Sequence, residues 1–209
     1  MGRLESRNIS FGLLPLLMAA GLGVRVHYAQ PDTFPSVDGV FYLQQSRDLV
    51  LENRLPFSSF PPGWPVLASL PLYFTDATDP DRVFRVAQGS NVFLGVMWAG
   101  LAFFLLRREL GPWLALVGAA VLLALPLAII SAKGDLSEMS YACVLLVALL
   151  VWPRDKFQTG LALGCAYLIR PEALLIALGG LVWAGWRERK VPWAMIRGTA
   201  LRVVPYVLF

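Results

Sequence analysis

Seven side chains in this sequence are of types that carry acid–base chemistry or bind phosphate, and they lie in or beside the polar intervals between long apolar runs. They are the carboxylates Asp38, Asp135, Glu138 and Glu172, the phenols Tyr42 and Tyr141, and the guanidinium of Arg170. A carboxylate can accept the proton of a hydroxyl or amine as that group forms a bond. An arginine binds phosphate oxygens in a planar, bidentate geometry. These residue types could together supply a proton acceptor and an anion-binding cation, provided that the fold brings them to one place.

The apolar runs decide the class of protein. The 209 residues are 57% hydrophobic and 15% charged, with a mean hydropathy of +0.61, whereas a soluble domain carries about 25% charged residues. We therefore predict an all-α polytopic membrane protein forming one transmembrane domain over residues 1–209. The net charge of +4 lies in short clusters between apolar runs. That pattern follows the positive-inside rule, so we expect no nucleic-acid partner and a cytoplasmic N-terminus.

Four apolar runs are long enough to be predicted as membrane-spanning helices, at residues 9–28, 83–106, 113–130 and 138–152. Pro15 and Pro126 are expected to kink the first and third of them. Arg25 and His27, near the outer end of the first run, are expected to extend toward the membrane interface. Another helix is predicted to begin at Thr199, so the chain ends inside it, which is typical of a fragment.

The apolar interval 157–186 is interrupted by Arg170-Pro171-Glu172. A single crossing would place the basic cluster at residues 187–190 outside, against the positive-inside rule. Proline breaks a helix and disfavours helical geometry in the residue before it. We therefore predict two short helices that meet at Arg170 and keep Arg170 and Glu172 toward the external side.

The long polar interval, about residues 30–82, is predicted to be the first external loop. Residues 39–53 suit a helix in the membrane interface, and Val66 to Phe74 a second interfacial or re-entrant helix. Between them, Pro61 to Pro65 forms a rigid break whose Trp64 is expected at the interface. Asp38 has an alternative role as the N-cap of the first of these helices.

With this topology Asp38, the loop from Lys133 to Glu138, Arg170 and Glu172 face one side of the membrane. Charged groups near bilayer depth cost roughly 2.5–3.5 kcal/mol each on insertion scales, so several together imply mutual pairing or a wet pocket. Structural alternatives remain open: Glu138 can complement a helix dipole, and Arg170 can simply pair with Glu172.

The order of motifs resembles a known family. A span is followed by Asp38 with Gly-x-x-Tyr-Leu, then by Pro-Pro-Gly-x-Pro, by Ser-Glu-x-x-Tyr-Ala from Ser137 to Ala142, and by Tyr-Leu-x-Arg-Pro-Glu-Ala-Leu from Tyr167 to Leu174. Over residues 9–186 this is similar to the N-terminal half of GT-C fold membrane glycosyltransferases, the protein O-mannosyltransferase and aminoarabinose-transferase-like superfamily.

The resemblance implies transfer of a sugar from a polyprenyl-phosphate donor to a glycan, lipid or protein acceptor on the extracytoplasmic face. It implies that Asp38 is the catalytic carboxylate and that Arg170 grips the donor phosphate. The family's second acid would be Asp135 or Glu138, because Gly39 follows Asp38 here. Tyr42, Tyr141 and Glu172 are candidate substrate-binding residues.

We expect neither a cofactor nor a metal site, since the carboxylates are scattered along the chain. Two other classes remain open. The interruption at Arg170-Pro171 is also compatible with a transporter, whose sites are built from broken helices. A non-catalytic membrane scaffold or fragment is the second alternative.

Overall fold

The computed structural model describes residues 2–29, 35–54, 61–134 and 137–208, and their side chains except at 2–10, 133 and 206–208. Every regular element in these ranges is a helix, which confirms the all-α prediction. The α-helices are α1 (Gly2–Tyr28), α2 (Val37–Glu52), α3 (Gly63–Ser69), α4 (Pro80–Leu110), α5 (Pro112–Ala124), α6 (Pro126–Lys133), α7 (Glu138–Val151), α8 (Lys156–Ile169), α9 (Ala173–Glu188) and α10 (Trp193–Leu208), with a 3-10 helix at Leu70–Phe74.

Among the described residues, two helices are long and apolar enough to cross a membrane: Phe11–Tyr28 of α1, and α4. A third candidate is the pair α5 and α6, which is bent by 60° at Leu125. The helix α7 is apolar but has only 14 residues, about 21 Å against a hydrocarbon core of about 30 Å. Two to three candidate spans therefore support a membrane protein.

Local sequence explains several helix ends. Asp79 caps α4 by accepting a hydrogen bond from the Asp81 amide, and Pro80 occupies the first turn, where proline is favoured. Asp155 caps α8 in the same way, accepting from the amides of Phe157 and Gln158. The helix α10 begins at Trp193, six residues before the predicted start at Thr199, and its first turn donates to the carbonyl of Pro192.

Arg25 does not extend to the interface, and that prediction is wrong. Its side chain is fully buried, and its Nη1 donates to the carbonyl oxygen of Leu123 at 3.0 Å and its Nη2 to that of Leu122 at 3.5 Å. In a continuous helix the Leu122 carbonyl would accept from residue 126, but Pro126 has no N–H. Arg25 therefore stabilises the break between α5 and α6.

The helices α4 and α7 run in the same direction, as two contacts between them show. Near one end the Asn91 amide of α4 donates to the Gly134 carbonyl at 2.9 Å, one turn before α7 begins. Further along, the Cys143 thiol of α7 donates to the Leu94 carbonyl of α4. The helices α4 and α7 thus run in the same direction, and their C-terminal parts lie near each other, where Arg107 and Leu150 line a common cavity.

The predicted break at Arg170-Pro171 is confirmed as a helical hairpin. The helix α8 ends at Ile169 and α9 begins at Ala173. The far ends of these helices meet in an ion pair, with Lys156 Nζ 3.0 Å from Glu188 Oε1. The turn at Arg170 is thereby directed away from the basic cluster that follows α9.

Glycines let α8 and α10 approach until their backbones touch. A Cβ added at Gly160 would clash with the backbone carbonyl of Met195, and one at Gly164 would lie 2.7 Å from Arg202 Cβ. Gly160 and Gly164 therefore serve the close packing of these two helices.

Candidate functional site

Arg170 is placed by the sharp turn between α8 and α9. Its backbone is extended, with φ −146° and ψ 123°, and its amide still donates to the Ala166 carbonyl of α8. The following Pro171 favours this extended geometry over a helical one. The turn therefore ends α8 and leaves the guanidinium at its tip, half exposed.

Glu138 meets this guanidinium from another part of the chain. Glu138 Oε1 accepts a hydrogen bond from Arg170 Nη1 at 2.9 Å, and Glu172 Oε1 lies 3.7 Å from Arg170 Nη2. Burial alone would lower the pKa of Arg170, but the hydrogen bond and charge of Glu138, together with the charge of Glu172, outweigh it and raise the pKa. The arginine is therefore a fixed cation held between two carboxylates.

The second oxygen of Glu138 has a different environment. Glu138 Oε2 is buried and has no hydrogen-bond partner among the described residues. Glu138 occupies the first turn of α7, where the helix dipole stabilises a carboxylate. Glu138 thus orients Arg170 through one oxygen and keeps an acceptor free on the other.

Tyr42 is the residue on which the separate stretches converge. It is 8% exposed and lies one helical turn after Asp38 on α2. Its hydroxyl hydrogen-bonds the Ser137 side chain, and the charges of Arg170, Asp38 and Glu138 all act on it. Three stretches far apart in sequence are therefore brought into electrostatic reach of one phenol.

The pKa of the Tyr42 phenol is raised above its ordinary value. Burial is the main cause, and the negative charges of Asp38 and Glu138 act in the same direction. The hydrogen bond from Ser137 and the charge of Arg170 oppose the rise without cancelling it. Tyr42 is consequently a neutral hydrogen-bonding group at physiological pH.

Asp38 is exposed in the first turn of α2 and is not the N-cap. That role belongs to Ser36, whose Oγ accepts from the Gly39 amide at 2.9 Å, so the interpretation of Asp38 as a cap is wrong. The Asp38 carboxylate makes no hydrogen bond or ion pair with the described residues. It remains free to act on a bound molecule.

The Pro-Pro-Gly-Trp-Pro segment packs against α2 and the end of α8, next to Tyr42 and Arg170. A Cβ added at Gly63 would lie 2.6 Å from the Leu168 carbonyl, so only glycine lets α3 approach the end of α8 so closely. Trp64 is completely buried against Tyr42 and Ile169. The expectation that Trp64 lies at the membrane interface is wrong. Trp64 belongs to a buried apolar cluster with Tyr42 and Ile169, the residue before Arg170.

Tyr141, one turn after Glu138 on α7, packs against the same apolar cluster. The charges of Glu172 and Arg170 act on its phenol. Five of the predicted site residues are thus close neighbours or linked through one another: Tyr42, Glu138, Tyr141, Arg170 and Glu172. Asp38 joins them through Tyr42. Asp135 lies outside the described residues.

Ser137 is the residue that sequence reasoning passed over. It belongs to the Ser-Glu motif, but a serine before a helix is ordinarily a cap, and nothing in the sequence pairs it with Tyr42. In the structure it makes no side-chain cap for α7. Within the described residues no group of three His, Cys, Asp or Glu side chains is arranged to hold a metal ion.

Comparison with known proteins finds no matching family model, no curated relative and no similar solved structure. The class that the fold defines is therefore an all-α protein with two to three candidate membrane-spanning helices. Its site must be interpreted from its own geometry.

Proposed function

We propose that this chain is a membrane glycosyltransferase that moves a sugar from a polyprenyl-phosphate donor to an acceptor hydroxyl or amine at the extracytoplasmic face. The observation that supports it is that the charges of Asp38, Glu138 and Arg170 all act on the Tyr42 phenol, while Glu138 holds Arg170 by a hydrogen bond. Such a transfer needs a carboxylate that can accept a proton, here Asp38, and a fixed cation that can bind phosphate, here Arg170.

Arg170 holds the donor phosphate in this proposal. Its pairing with Glu138 uses one of its N–H groups at hydrogen-bond distance, and a guanidinium has five donors. The remaining donors can bind phosphate oxygens while Glu138 and Glu172 fix the plane of the group. Because the leaving lipid phosphate already carries negative charge, the site supplies a cation rather than a general acid.

Asp38 acts as the general base. The acceptor oxygen or nitrogen forms a bond to the anomeric carbon, the bond from that carbon to the phosphate oxygen breaks, and the acceptor proton passes to Asp38. The neutral Tyr42 phenol donates or accepts hydrogen bonds beside it and binds sugar hydroxyls. Tyr141 lines the same site from α7.

A lipid-linked donor also fits the position of the site. The end of the bundle that holds Arg170 is opposite the basic residues at the C-terminal ends of α4 and α7. On the positive-inside rule those basic residues are cytoplasmic, so the site faces outward, α1 begins in the cytoplasm, and the chain crosses the membrane several times. The polyprenyl tail stays in lipid while its sugar reaches Asp38.

The test is a transfer assay with a radiolabelled polyprenyl-phosphate sugar and membranes containing the parent chain. Asp38→Asn is expected to lower transfer by about 100-fold or more, the range of general-base catalysis. Asp48→Asn, about three turns further along α2, is the control and should keep parent activity. Full activity of Asp38→Asn would remove the proposed base.

Transport is the second candidate, and one observation favours it. The helices α5 and α6 form a pair bent by 60°, with the buried Arg25 at the break, and broken helices build transport sites. Reconstituted parent protein that shows no sugar transfer but moves a labelled sugar or its phosphate across vesicles would favour a transporter.

A further inference from the structure

A basic cavity lies at the end of the bundle opposite Arg170. It has a volume of about 480 Å³ and is lined by Arg107 and Arg108 at the end of α4, by Arg154 after α7, and by the apolar side chains of Phe104 and Leu150. Small-molecule sites have volumes of about 300–1,000 Å³. Three guanidinium-bearing residues therefore surround a space large enough for a phosphate headgroup.

The three arginines are not neutralised by the part of the chain that the structure describes. None of them is within ion-pair distance of an Asp or Glu there. Two carboxylates are adjacent to them in sequence: Glu109, which is exposed next to Arg108, and Asp155, whose Oδ1 is engaged in capping α8. Arg107 is held by the Phe11 ring, with its guanidinium carbon 4.1 Å from the ring centroid. Three like charges side by side favour an anion.

An apolar cavity of about 570 Å³ adjoins the basic one. Arg108 lines both. The walls of the second cavity come mainly from α4, α7, α8 and α9 and include Leu149, Trp152 and Trp183, with Glu109 beside Arg108 at one edge. Arg108 thus has two other arginines on one side and mainly apolar side chains on the other. An amphipathic anion, with a charged headgroup and an apolar chain, fits such an environment.

We propose that these joined cavities bind one anionic glycerophospholipid, with its headgroup phosphate among Arg107, Arg108 and Arg154 and one acyl chain against Trp152 and Trp183. Anionic lipids are concentrated in the cytoplasmic leaflet, where basic pockets between helices bind their headgroups. Three cationic residues line one cavity, and Arg108 also lines an apolar cavity, which favours a lipid over a free phosphate, since a free phosphate needs no acyl site. The site is about 20 Å along α7 from Glu138 and does not depend on the proposed transfer reaction.

The test is lipid binding to the purified full chain in detergent, measured by native mass spectrometry with phosphatidylglycerol and phosphatidylcholine. The parent should bind phosphatidylglycerol selectively, and high salt should abolish that preference. Arg108→Gln/Arg154→Gln should weaken phosphatidylglycerol binding by about 10- to 30-fold, since each basic residue near an anionic surface contributes a factor of about five. The matched control is Arg82→Gln/Arg85→Gln, which removes two exposed charges from the other end of α4.

Three outcomes would overturn the proposal. First, equal binding of phosphatidylglycerol and phosphatidylcholine by the parent would overturn it. This outcome needs no variant, so the test holds even if a variant does not fold. An equal loss in the control pair would show a diffuse charge effect. Displacement of phosphatidylglycerol by millimolar inorganic phosphate would assign the basic cavity to a free phosphate instead.

Discussion

Glu138 Oε1 lies 2.9 Å from Arg170 Nη1 and joins the first turn of α7 to the turn between α8 and α9. The two residues are 32 positions apart, and the side chains are 37% and 32% exposed. An exposed ion pair of this kind contributes only about 0–1 kcal/mol to stability. Its value is therefore positional: it fixes the direction of a cation.

Arg170→Lys keeps the charge but loses the planar fork that Glu138 and Glu172 hold. Under the proposed function, the KM for the polyprenyl-phosphate donor should rise by about 10-fold, because a lysine binds phosphate as a point charge. Donor titrations of the transfer reaction measure the change. Arg85→Lys on the exposed face of α4 is the control, and equal KM values for all three proteins would contradict the role of Arg170.

Arg25→Met should destabilise the fold by about 3 kcal/mol, because it leaves the buried carbonyls of Leu122 and Leu123 without a donor. The loss is measured as a lower midpoint of thermal unfolding in detergent. Pro126→Ala restores the N–H that Leu122 lacks, so Arg25→Met should cost less in that background. Strictly additive effects of the two substitutions would show that Arg25 does not replace the missing helix hydrogen bond.

Gly160→Ala should destabilise the contact between α8 and α10 by about 1–3 kcal/mol, because the added methyl group meets the Met195 carbonyl. Gly179→Ala is its matched control on α9, where a Cβ would meet nothing within 4 Å. There the greater helix propensity of alanine should leave stability unchanged or raise it by up to about 1 kcal/mol. Equal unfolding midpoints for the two variants would contradict the packing.

Tyr42 should ionise only above the ordinary tyrosine range of about 10, since burial raises its pKa. A group whose pKa is raised by folding stabilises the fold below its unfolded pKa, and this contribution is lost as pH rises through the folded value. The ultraviolet difference between parent and Tyr42→Phe during an alkaline titration measures the pKa. A tyrosinate signal at or below the ordinary range would contradict the buried position.

Much of the fold was predictable because it depends on local rules. Arg170-Pro171 marked the hairpin between α8 and α9, since a proline limits the backbone of its neighbour wherever it occurs. The predicted sidedness placed Arg170 and Glu138 at the same face, but the ion pair named from the sequence was Arg170 with Glu172, and the hydrogen bond to Glu138 emerges only in the structure. The hairpin and the shared face are properties of short segments and of helix order.

Other features depend on contacts between distant segments, which a single sequence does not reveal. Arg25 binds two backbone carbonyls on α5, 97 and 98 positions away. Every residue has a backbone carbonyl, so the sequence does not indicate which ones an arginine will bind. Trp64 was assigned to the interface by its type but is buried under Tyr42. Ser137 was passed over because only the fold brings it to α2.

The central claim is that Asp38 and Arg170 share one site for a lipid-linked sugar. Val37 is next to Asp38 and 79% exposed, so Val37→Cys, in a Cys143→Ala/Cys165→Ala background, reports on this site without touching its proposed machinery. We measure its rate of labelling by a membrane-impermeant maleimide with and without the polyprenyl-phosphate sugar. The donor should slow labelling, and Arg170→Gln should abolish that protection; labelling at the same rate with and without donor would contradict the claim.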